Sequence, residues 1–192
     1  VGDLVDRGPQ SAQVLELLQK LCTDDPAKTI CLFGNHERMM IDFIDDPAGD
    51  GRRWLRFGGE ETLASFGITG VSNTSDLEDL VNVSSDFETA LGGKLQSWIR
   101  SLPLIWSSGN LHCVHAGMNP TKSVRSQRSA VLLWGHPAFE TTARDDGQWV
   151  AHGHTIVSKP AAHSGRIATD TGAYKTGQLT VAAVSIDSIR FI

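Results

Sequence analysis

The sequence predicts a single α/β domain that spans residues 1–192. Helical and strand-like patterns alternate early in the chain, whereas strand-like segments crowd together from Trp149 onward, an order that favours layers of sheet and helix. A length of 192 residues allows one sizeable core, and 40% apolar with 20% charged residues is typical of a globular protein. No linker or internal repeat divides the chain.

The first elements predicted are a helix, a strand and a second helix. Apolar residues recur at helical spacing after Pro9, with Ser11 as a plausible cap (Val14, Leu15, Leu17, Leu18 and Leu21). The apolar run Thr29–Phe33 has the length and bounds of a buried strand. It leads into the loop Gly34–Glu37, after which a helix is expected.

The middle of the chain predicts two helical segments and a pair of strands. A polar turn precedes the helical pattern of Trp54–Phe66, and Leu95–Leu102 is also helix-like. Leu104–Trp106 and Leu111–His115 flank a Ser-Ser-Gly-Asn turn and predict two strands.

Strands dominate the last third of the chain. The stretches WVAHGH, GRIATDT, LTVAAVSI and IRFI are rich in apolar and β-branched residues. The last two are joined at Asp187–Ser188, which predicts a hairpin.

Charge and cysteine content exclude several classes of protein. The formal net charge is −5, with 17 basic against 22 acidic residues, so a large basic face for nucleic acid is not expected. No run of eighteen apolar residues suggests a membrane span. The three cysteines, Cys22, Cys31 and Cys113, are odd in number and lack CxxC spacing, which argues against a disulfide framework or a zinc knuckle. Cys31 and Cys113 lie in apolar runs and are expected to be buried thiols. A reducing, cytoplasmic location follows as the expectation.

Four short motifs carry the chemistry of the chain: GDLVDRG at 2–8, GNHE at 34–37, VHAG at 114–117 and HGHT at 152–155. They present Asp, Asn and His side chains at strand-to-loop junctions. Carboxylate, amide and imidazole groups are the donors that a pair of divalent transition metals accepts. The motifs therefore predict a metal site assembled from distant parts of the sequence.

In this order the motifs resemble those of the calcineurin-like metallophosphoesterases, and specifically the bacterial and phage serine/threonine phosphoprotein phosphatases. The stretches FGGEETLASFG and TDTGAYKTGQLTVAAV add to the likeness, which covers nearly the whole chain. The resemblance implies a calcineurin-like fold with two mixed sheets packed between helices. It also implies that Asp3 bridges the two metals and that Asn35, His115 and His154 are ligands of the second metal.

Catalytic roles follow from the same resemblance. His36 is implied as the general acid for the leaving oxygen, and Asp6 as the carboxylate that orients it. A carboxylate on one imidazole nitrogen fixes the tautomer and raises the basicity of the other, which makes the pairing chemically sound. Arg7 presents a planar guanidinium suited to two phosphate oxygens. Glu37 is expected to be structural, as an acidic residue near a helix N-terminus.

Two features depart from the family pattern. An Asp-x-His motif that supplies two ligands of the first metal stands upstream of GDxxDRG in the family, and this sequence starts at Val1. The domain is therefore expected to be N-terminally truncated, without its first strand, and its activity as given is doubtful. A second phosphate-binding Arg is also missing after Trp134; Arg144 is the first candidate for that role, with Arg125 and Arg128 behind it.

The predicted function is metal-dependent hydrolysis of a phosphomonoester, with a serine/threonine phosphoprotein as the first substrate. The alternatives are a diadenosine tetraphosphate-type dinucleotide polyphosphate hydrolase, whose first motif usually lacks the second Asp, and a catalytically impaired phosphate-binding module. Two divalent ions are expected in the complete enzyme, with manganese first and iron, zinc or magnesium as alternatives. No nucleic-acid or membrane partner is expected.

Overall fold

The computed structural model describes residues 1–192 and divides into two compact units. One unit consists of residues 2–102, and the other of residues 103–192 together with Val1. Helices make up the first unit and strands dominate the second, which confirms the α/β class. The single domain expected over residues 1–192 stays a prediction.

The unit of residues 2–102 contains five α-helices and one π-helical turn. They are α1 (Ser11–Asp24), α2 (Asn35–Asp45), α3 (Arg52–Trp54), the π-helical turn (Leu55–Gly59), α4 (Glu60–Ser65) and α5 (Leu77–Ser101). The helical patterns after Pro9, over 54–66 and over 95–102 are thereby confirmed. The helix expected after GNHE is also present, but it begins inside that motif, at Asn35. Gly92, with φ 72°, interrupts the helical geometry inside α5.

The start of α1 differs from the prediction. Ser11 is the first residue of the helix, and no side chain caps it. Its hydroxyl oxygen instead accepts the backbone N–H of Asp6 at 3.1 Å. The predicted cap is therefore wrong, because this hydroxyl holds the loop before the helix rather than the end of the helix.

A stack of aromatic rings forms the centre of this unit. The Trp54 ring lies 5.2 Å from Phe43 and 5.5 Å from Phe87, and all three side chains are fully buried. Phe66 meets Phe87 edge-on at 5.3 Å. Full burial of a large apolar side chain contributes about 1.5–3 kcal/mol, so this stack ties α2, α3 and α5 into one core.

The predicted strand Thr29–Phe33 is not found. Residues 29–34 form neither helix nor strand, although Cys31 and Leu32 are buried as expected. A strand requires hydrogen bonds to a neighbouring strand, and this segment takes part in neither sheet of the structure. The apolar run thus leads to burial of the segment without forming the hydrogen bonds of a strand.

Seven strands and two α-helices belong to the second unit. They are β1 (Ile105–Ser108), β2 (Leu111–Val114), α6 (Ser129–Trp134), β3 (Trp149–His152), β4 (Ala161–His163), β5 (Arg166–Ala168), α7 (Ala173–Thr176), β6 (Ala182–Val184) and β7 (Ile189–Phe191). Strand β4 was not predicted; the other strands match the sequence patterns.

The larger sheet is mixed and has the strand order β1-β2-β3-β5-β4. Its central pairs, β2 with β3 and β3 with β5, are parallel, while the two outer pairs are antiparallel. Strands β6 and β7 form a separate antiparallel hairpin, closed where the N–H of Ser185 donates to the carbonyl of Ser188 at 2.8 Å. The predicted hairpin at 187–188 is confirmed.

A small apolar core is built from buried residues of the sheet, of α6 and of the segments that flank α6 (Val114, Met118, Leu132, Phe139 and Val150). The N–H of Ala116 donates to the carbonyl of Leu132 at 2.8 Å, which fastens the segment after β2 to α6. None of the helices in the structure combines the length and apolar character that crossing a bilayer requires.

Candidate active site

Two parallel strands end side by side and deliver a pair of histidines. β2 ends at Val114, directly before His115, and β3 ends at His152, two residues before His154. Parallel pairing puts both carboxyl ends at the same edge of the sheet. The N–H of Gly153 then donates to the carbonyl of His115 at 2.8 Å, which locks the two strand ends together.

The imidazole pair has the spacing of two ligands on one ion. Nε2 of His115 lies 3.2 Å from Nδ1 of His154. Two nitrogens that are each about 2.0–2.1 Å from an ion are separated by about 2.9 Å in octahedral and about 3.4 Å in tetrahedral geometry. The observed spacing falls between these values, so the pair fits a divalent transition metal.

A hydrogen bond at Nδ1 fixes the orientation of the His115 ring. Its Nδ1 lies 2.9 Å from the carbonyl oxygen of Val1, and the side chain is buried. Nδ1 therefore donates a proton to that carbonyl, and Nε2 presents its lone pair toward His154. A hydrogen bond on the far ring nitrogen is the usual way in which proteins fix the tautomer of a metal-binding histidine.

Left-handed backbone concentrates at the predicted site residues. The non-glycine residues with positive φ are Asp3 (55°), Asp6 (80°), Arg7 (63°), His154 (63°) and Ser164 (51°). Such conformations cost on the order of 1–3 kcal/mol each and persist only where the surroundings impose them. Four of the five are residues to which the sequence assigned metal-binding, catalytic or substrate-binding roles.

Glu37 fastens the loop of Asp3 to the start of α2. Its fully buried carboxylate accepts the backbone N–H groups of Leu4 at 2.6 Å, Gly34 at 2.8 Å and Asp3 at 3.0 Å. The two segments approach so closely that a Cβ on Gly34 would lie 2.6 Å from the nitrogen of Asp3 and 2.8 Å from its Oδ1. The Asp3 carboxylate therefore lies against the residue that precedes the buried Asn35.

Burial raises the pKa of Glu37 to about 7, and the charge of Asp3 adds to the rise, although the N–H groups of Leu4 and Gly34 lower it. The residue is structural, as predicted, but for a different reason. It joins two loops as a triple acceptor, in addition to any interaction with the helix dipole that the sequence suggested.

The second carboxylate of GDLVDRG pairs with the histidine of GNHE. Oδ2 of Asp6 lies 2.5 Å from Nδ1 of His36, and both side chains are buried. This confirms the predicted hydrogen bond between them. With Nδ1 occupied by the carboxylate, the opposite nitrogen, Nε2, is the one left to exchange a proton with a substrate.

The pKa values of both Asp6 and His36 are raised from their ordinary values. Burial raises the pKa of Asp6, against hydrogen bonds from His36, Thr62 and Trp54 that lower it. Burial alone would lower the pKa of His36, but the hydrogen bond to Asp6 and the charges of Asp3 and Asp6 outweigh it, so the pKa is raised. The rise favours the protonated form of His36, which is the form that a general acid uses.

Arg7 follows Asp6 directly and is exposed. Its backbone N–H donates to the carbonyl of Gly58 at 3.4 Å, and a Cβ on Gly58 would lie 2.6 Å from the Arg7 nitrogen. Gly58 has φ 111°, a conformation that glycine adopts without strain. This close approach fixes the backbone from which the guanidinium extends.

Arg144 is the candidate whose surroundings suit its expected role least. Its side chain is 5% exposed and forms an ion pair with Asp146, to which Nε donates at 2.9 Å. Further bonds run to the carbonyls of Asn119 at 3.3 Å and Lys122 at 3.0 Å. The guanidinium is committed to holding this loop, so we leave Arg144 out of the phosphate site.

The remaining motif histidines serve the fold. His112 has Ser107 Oγ 2.8 Å from Nδ1 and Gln148 Oε1 2.7 Å from Nε2. His152 is buried edge-on against Phe139 at 4.9 Å, and burial lowers its pKa. These contacts give both histidines structural roles.

Sequence reasoning missed the residues that hold Asp6. Nε1 of Trp54 donates to its Oδ1 at 2.9 Å and Oδ2 at 3.0 Å, and the Thr62 hydroxyl donates to Oδ1 at 2.7 Å. The stretch FGGEETLASFG was recognised as family-like, but no spacing rule links a Trp and a Thr to a carboxylate some fifty residues away.

Within each of the two units, predicted site residues come together. The unit of residues 2–102 brings Asp3 close to Gly34 and pairs Asp6 with His36. The other unit brings together His115 and His154.

The comparisons with known proteins agree on the family. A family model described as calcineurin-like phosphoesterase matches residues 1–158. The bis(5'-nucleosyl)-tetraphosphatase PrpE [asymmetrical] of Anoxybacillus flavithermus is 26% identical over 200 residues, covering 94% of this chain and 72% of that protein. The serine/threonine-protein phosphatase 2 of Escherichia coli is 43% identical over 60 residues, which are 31% of this chain and 24% of that protein.

Other relatives are matched over a smaller share of their length. The symmetrical bis(5'-nucleosyl)-tetraphosphatase of Nitrosospira multiformis is 28% identical over 133 residues, covering 69% of this chain but only 37% of that protein. Among solved structures, a candidate diadenosine tetraphosphatase aligns with a TM-score of 0.64 at 16% identity, over 100% of this chain and 77% of that one.

A cold-active protein-tyrosine phosphatase of a Shewanella species gives a TM-score of 0.62 at 15% identity, over 99% of this chain and 64% of that one. At such low identity these likenesses show the fold alone. The match to the family model over residues 1–158 carries further, and by it this chain belongs to the calcineurin-like phosphoesterase family.

Proposed function

We propose that this chain hydrolyses phosphate esters with the help of divalent metal ions. The observation that carries the proposal is the buried Asp6–His36 pair, with its 2.5 Å contact between Oδ2 and Nδ1. A histidine held by a carboxylate at one nitrogen is the standard arrangement for proton transfer at the other. Such a pair beside Asp3 and Asn35, two ligand-type residues, suits hydrolysis better than binding alone.

We assign Asp3, Asn35, His115 and His154 as the ligands that hold metal. The 3.2 Å spacing of the two imidazole nitrogens supports the histidine half of this set. When bound, the ions stabilise charge on the phosphoryl group and activate the attacking water. Manganese is our first expectation for the metal, with iron, zinc or magnesium as alternatives, because oxygen and imidazole donors suit all of them.

The chain's own residues supply the remaining chemistry. His36 donates the proton on Nε2 to the leaving oxygen as its bond to phosphorus breaks, while Asp6 keeps hold of Nδ1. Arg7 binds two oxygens of the phosphoryl group through its guanidinium, which a lysine could not do with two parallel hydrogen bonds.

A nucleoside polyphosphate is the first candidate substrate. The relatives that match 94% of this chain bear the name bis(5'-nucleosyl)-tetraphosphatase. A cavity of about 300 Å³ also adjoins His154, and its walls include Trp134, His136 and Phe139. Aromatic walls next to His154, a proposed metal ligand, suit a planar base, since stacking on an aromatic ring is worth about 1–3 kcal/mol per base.

A phosphoprotein is the second candidate. It is favoured by the 43% identity to the serine/threonine-protein phosphatase 2 of Escherichia coli, although that match covers 60 residues. It is also the function that the motif GDLVDRG, with its second carboxylate at Asp6, first suggested.

The test is a comparison of kcat/KM for diadenosine tetraphosphate and for a phosphoserine peptide, with the complete protein and excess manganese. We expect the dinucleotide to be preferred by at least about tenfold, given the worth of base stacking. The opposite preference would establish the second candidate. Binding of phosphate without turnover of either substrate would instead indicate a catalytically impaired phosphate-binding module.

Three variants check the roles of the residues. His36→Asn should lower turnover by roughly 10²–10⁴-fold with metal content unchanged, the usual worth of a positioned acid. Arg7→Ala should act on substrate binding, while Arg144→Ala should affect folding stability more than KM. Loss of metal in His36→Asn would refute the division of roles between Asn35 and His36.

A further inference from the structure

The carboxylate of Asp6 is held by two residues that are remote in sequence and do not touch the substrate in the proposed reaction. The indole N–H of Trp54 points at both carboxylate oxygens, with Nε1–O distances of 2.9 and 3.0 Å. The hydroxyl of Thr62 donates to Oδ1 at 2.7 Å. His36 then meets the other oxygen, Oδ2.

Thr62 forms hydrogen bonds with both the side chain and the main chain of Asp6. Its hydroxyl oxygen also accepts the backbone N–H of Asp6 at 2.9 Å, a bond that the Ser11 hydroxyl shares at 3.1 Å. One side chain therefore fixes both the main chain and the carboxylate of the same residue. This matters because Asp6 has φ 80°, a conformation that nearby contacts must hold in place.

These contacts leave the carboxylate a single orientation. Both oxygens of Asp6 are bonded, and the plane of the group is set by donors on three sides. We propose that Trp54 and Thr62 are positioning residues for the general acid: they hold Asp6 so that Oδ2 aims Nε2 of His36 at the leaving oxygen. This inference rests on the proposed function, in which His36 is the acid.

A purely structural role for Trp54 is the alternative to be separated. Its ring is fully buried between Phe43 and Phe87, so a truncation such as Trp54→Ala would damage the core whatever the N–H does. Trp54→Phe keeps an aromatic ring in the stack and removes the N–H donor. Thr62→Val similarly keeps the shape and removes the hydroxyl, whereas Thr62→Ser keeps the hydroxyl.

The discriminating measurement is the dependence of kcat on the leaving group, made with the complete protein loaded with metal. A poor leaving group such as the phenol of phenyl phosphate needs the proton from His36, whereas 4-nitrophenolate departs with little help. We expect Trp54→Phe and Thr62→Val to lower kcat for phenyl phosphate by about 10–100-fold, part of the worth of a positioned acid. For 4-nitrophenyl phosphate the loss should stay within about threefold, with KM unchanged for both substrates.

Three controls distinguish the positioning role of Trp54 and Thr62 from the proposed role of His36 and from general damage to the core. Trp98→Phe alters a partly buried tryptophan that packs on the same core, and it should affect both substrates equally and slightly. Thr62→Ser should restore most of the rate that Thr62→Val loses. In a His36→Asn background, Trp54→Phe should have no further effect on the leaving-group dependence, because the acid is already absent.

A readout independent of turnover is the low-field NMR resonance of the Nδ1 proton of His36. Loosening of Asp6 in Trp54→Phe or Thr62→Val should shift this resonance or broaden it through exchange with water, while Trp98→Phe should not.

Equal losses on both substrates, with an unchanged resonance, would overturn the inference and leave Trp54 and Thr62 as core residues. If instead His36→Asn itself preserves the leaving-group dependence, the proposed role of His36 is what fails.

Discussion

Replacing Glu37 by Gln tests the clamp that joins the Asp3 loop to α2. The carboxylate accepts three buried N–H groups, one at Oε1 and two at Oε2. Glutamine has one acceptor oxygen, and its NH₂ group must face the other side. If the amide oxygen of Gln takes the place of Oε2, the N–H of Leu4 loses its acceptor and faces the NH₂ group. If the oxygen takes the place of Oε1, the N–H groups of Asp3 and Gly34 both do.

The magnitude follows from that count. A buried donor left without a partner costs about 1–3 kcal/mol, while removal of the buried charge, which the raised pKa of Glu37 shows the fold to disfavour, offsets part of that cost. We expect Glu37→Gln to lower the free energy of unfolding by about 1–2 kcal/mol, which for a chain of this size lowers Tm by about 2–8 °C.

The assay is urea unfolding of the metal-free protein at pH 8, above the pKa of about 7, where Glu37 is ionised. Glu16→Gln, an exposed change on α1, is the matched control and should stay within about 0.5 kcal/mol of the parent. If Glu37→Gln also stays within that range, the carboxylate does not hold the two loops and the reasoning is refuted.

Three further outcomes are expected. Gly34→Ala should destabilise the fold by about 1–3 kcal/mol, because its Cβ would lie 2.6 Å from a backbone nitrogen, whereas Gly93→Ala, with open space around it, should be neutral or stabilising in the same unfolding assay. The bidentate hydrogen bonds from Arg100 lower the pKa of Asp45, so this ion pair stabilises the fold above the unfolded pKa of 3.8 and ceases to do so as pH falls below it. In unfolding curves taken from pH 5 to about 2, Asp45→Asn should remove this part of the loss of stability in acid. Exposure to solvent limits the effect to under about 1 kcal/mol. Burial and the neighbouring thiol raise the pKa of Cys31 to about 12, so its alkylation at pH 8 should require unfolding, and rapid labelling of the native protein would contradict this.

Local patterns predicted the elements well where partners are close in sequence. The helix after Pro9 and the hairpin at 187–188 follow from spacing and turn residues within a short window, and both are present. The strand Thr29–Phe33 is absent, because an apolar run encodes burial whereas a strand also needs a neighbour. Ser11 is the same kind of error, since its hydroxyl binds the loop before the helix rather than the helix itself.

The chemistry of the site was predictable residue by residue, but its support was not. Asp6 and His36 are named by their motifs, and their hydrogen bond follows from the chemistry of a carboxylate and an imidazole. Trp54 and Thr62 reach the same carboxylate through the tertiary fold, and a sequence read in windows contains no signal for that contact.

The π-helical turn of residues 55–59 has a consequence for the evolution of this chain. In an unbroken α-helix the eight steps from Trp54 to Thr62 would turn the two side chains about 80° apart. The wider turn, with the left-handed Gly58, resets that angle so that both face one acceptor. An insertion or deletion between these positions would separate the two donors, whereas one in the loop of residues 67–76 would not. Relatives that keep the pair should therefore align here without gaps.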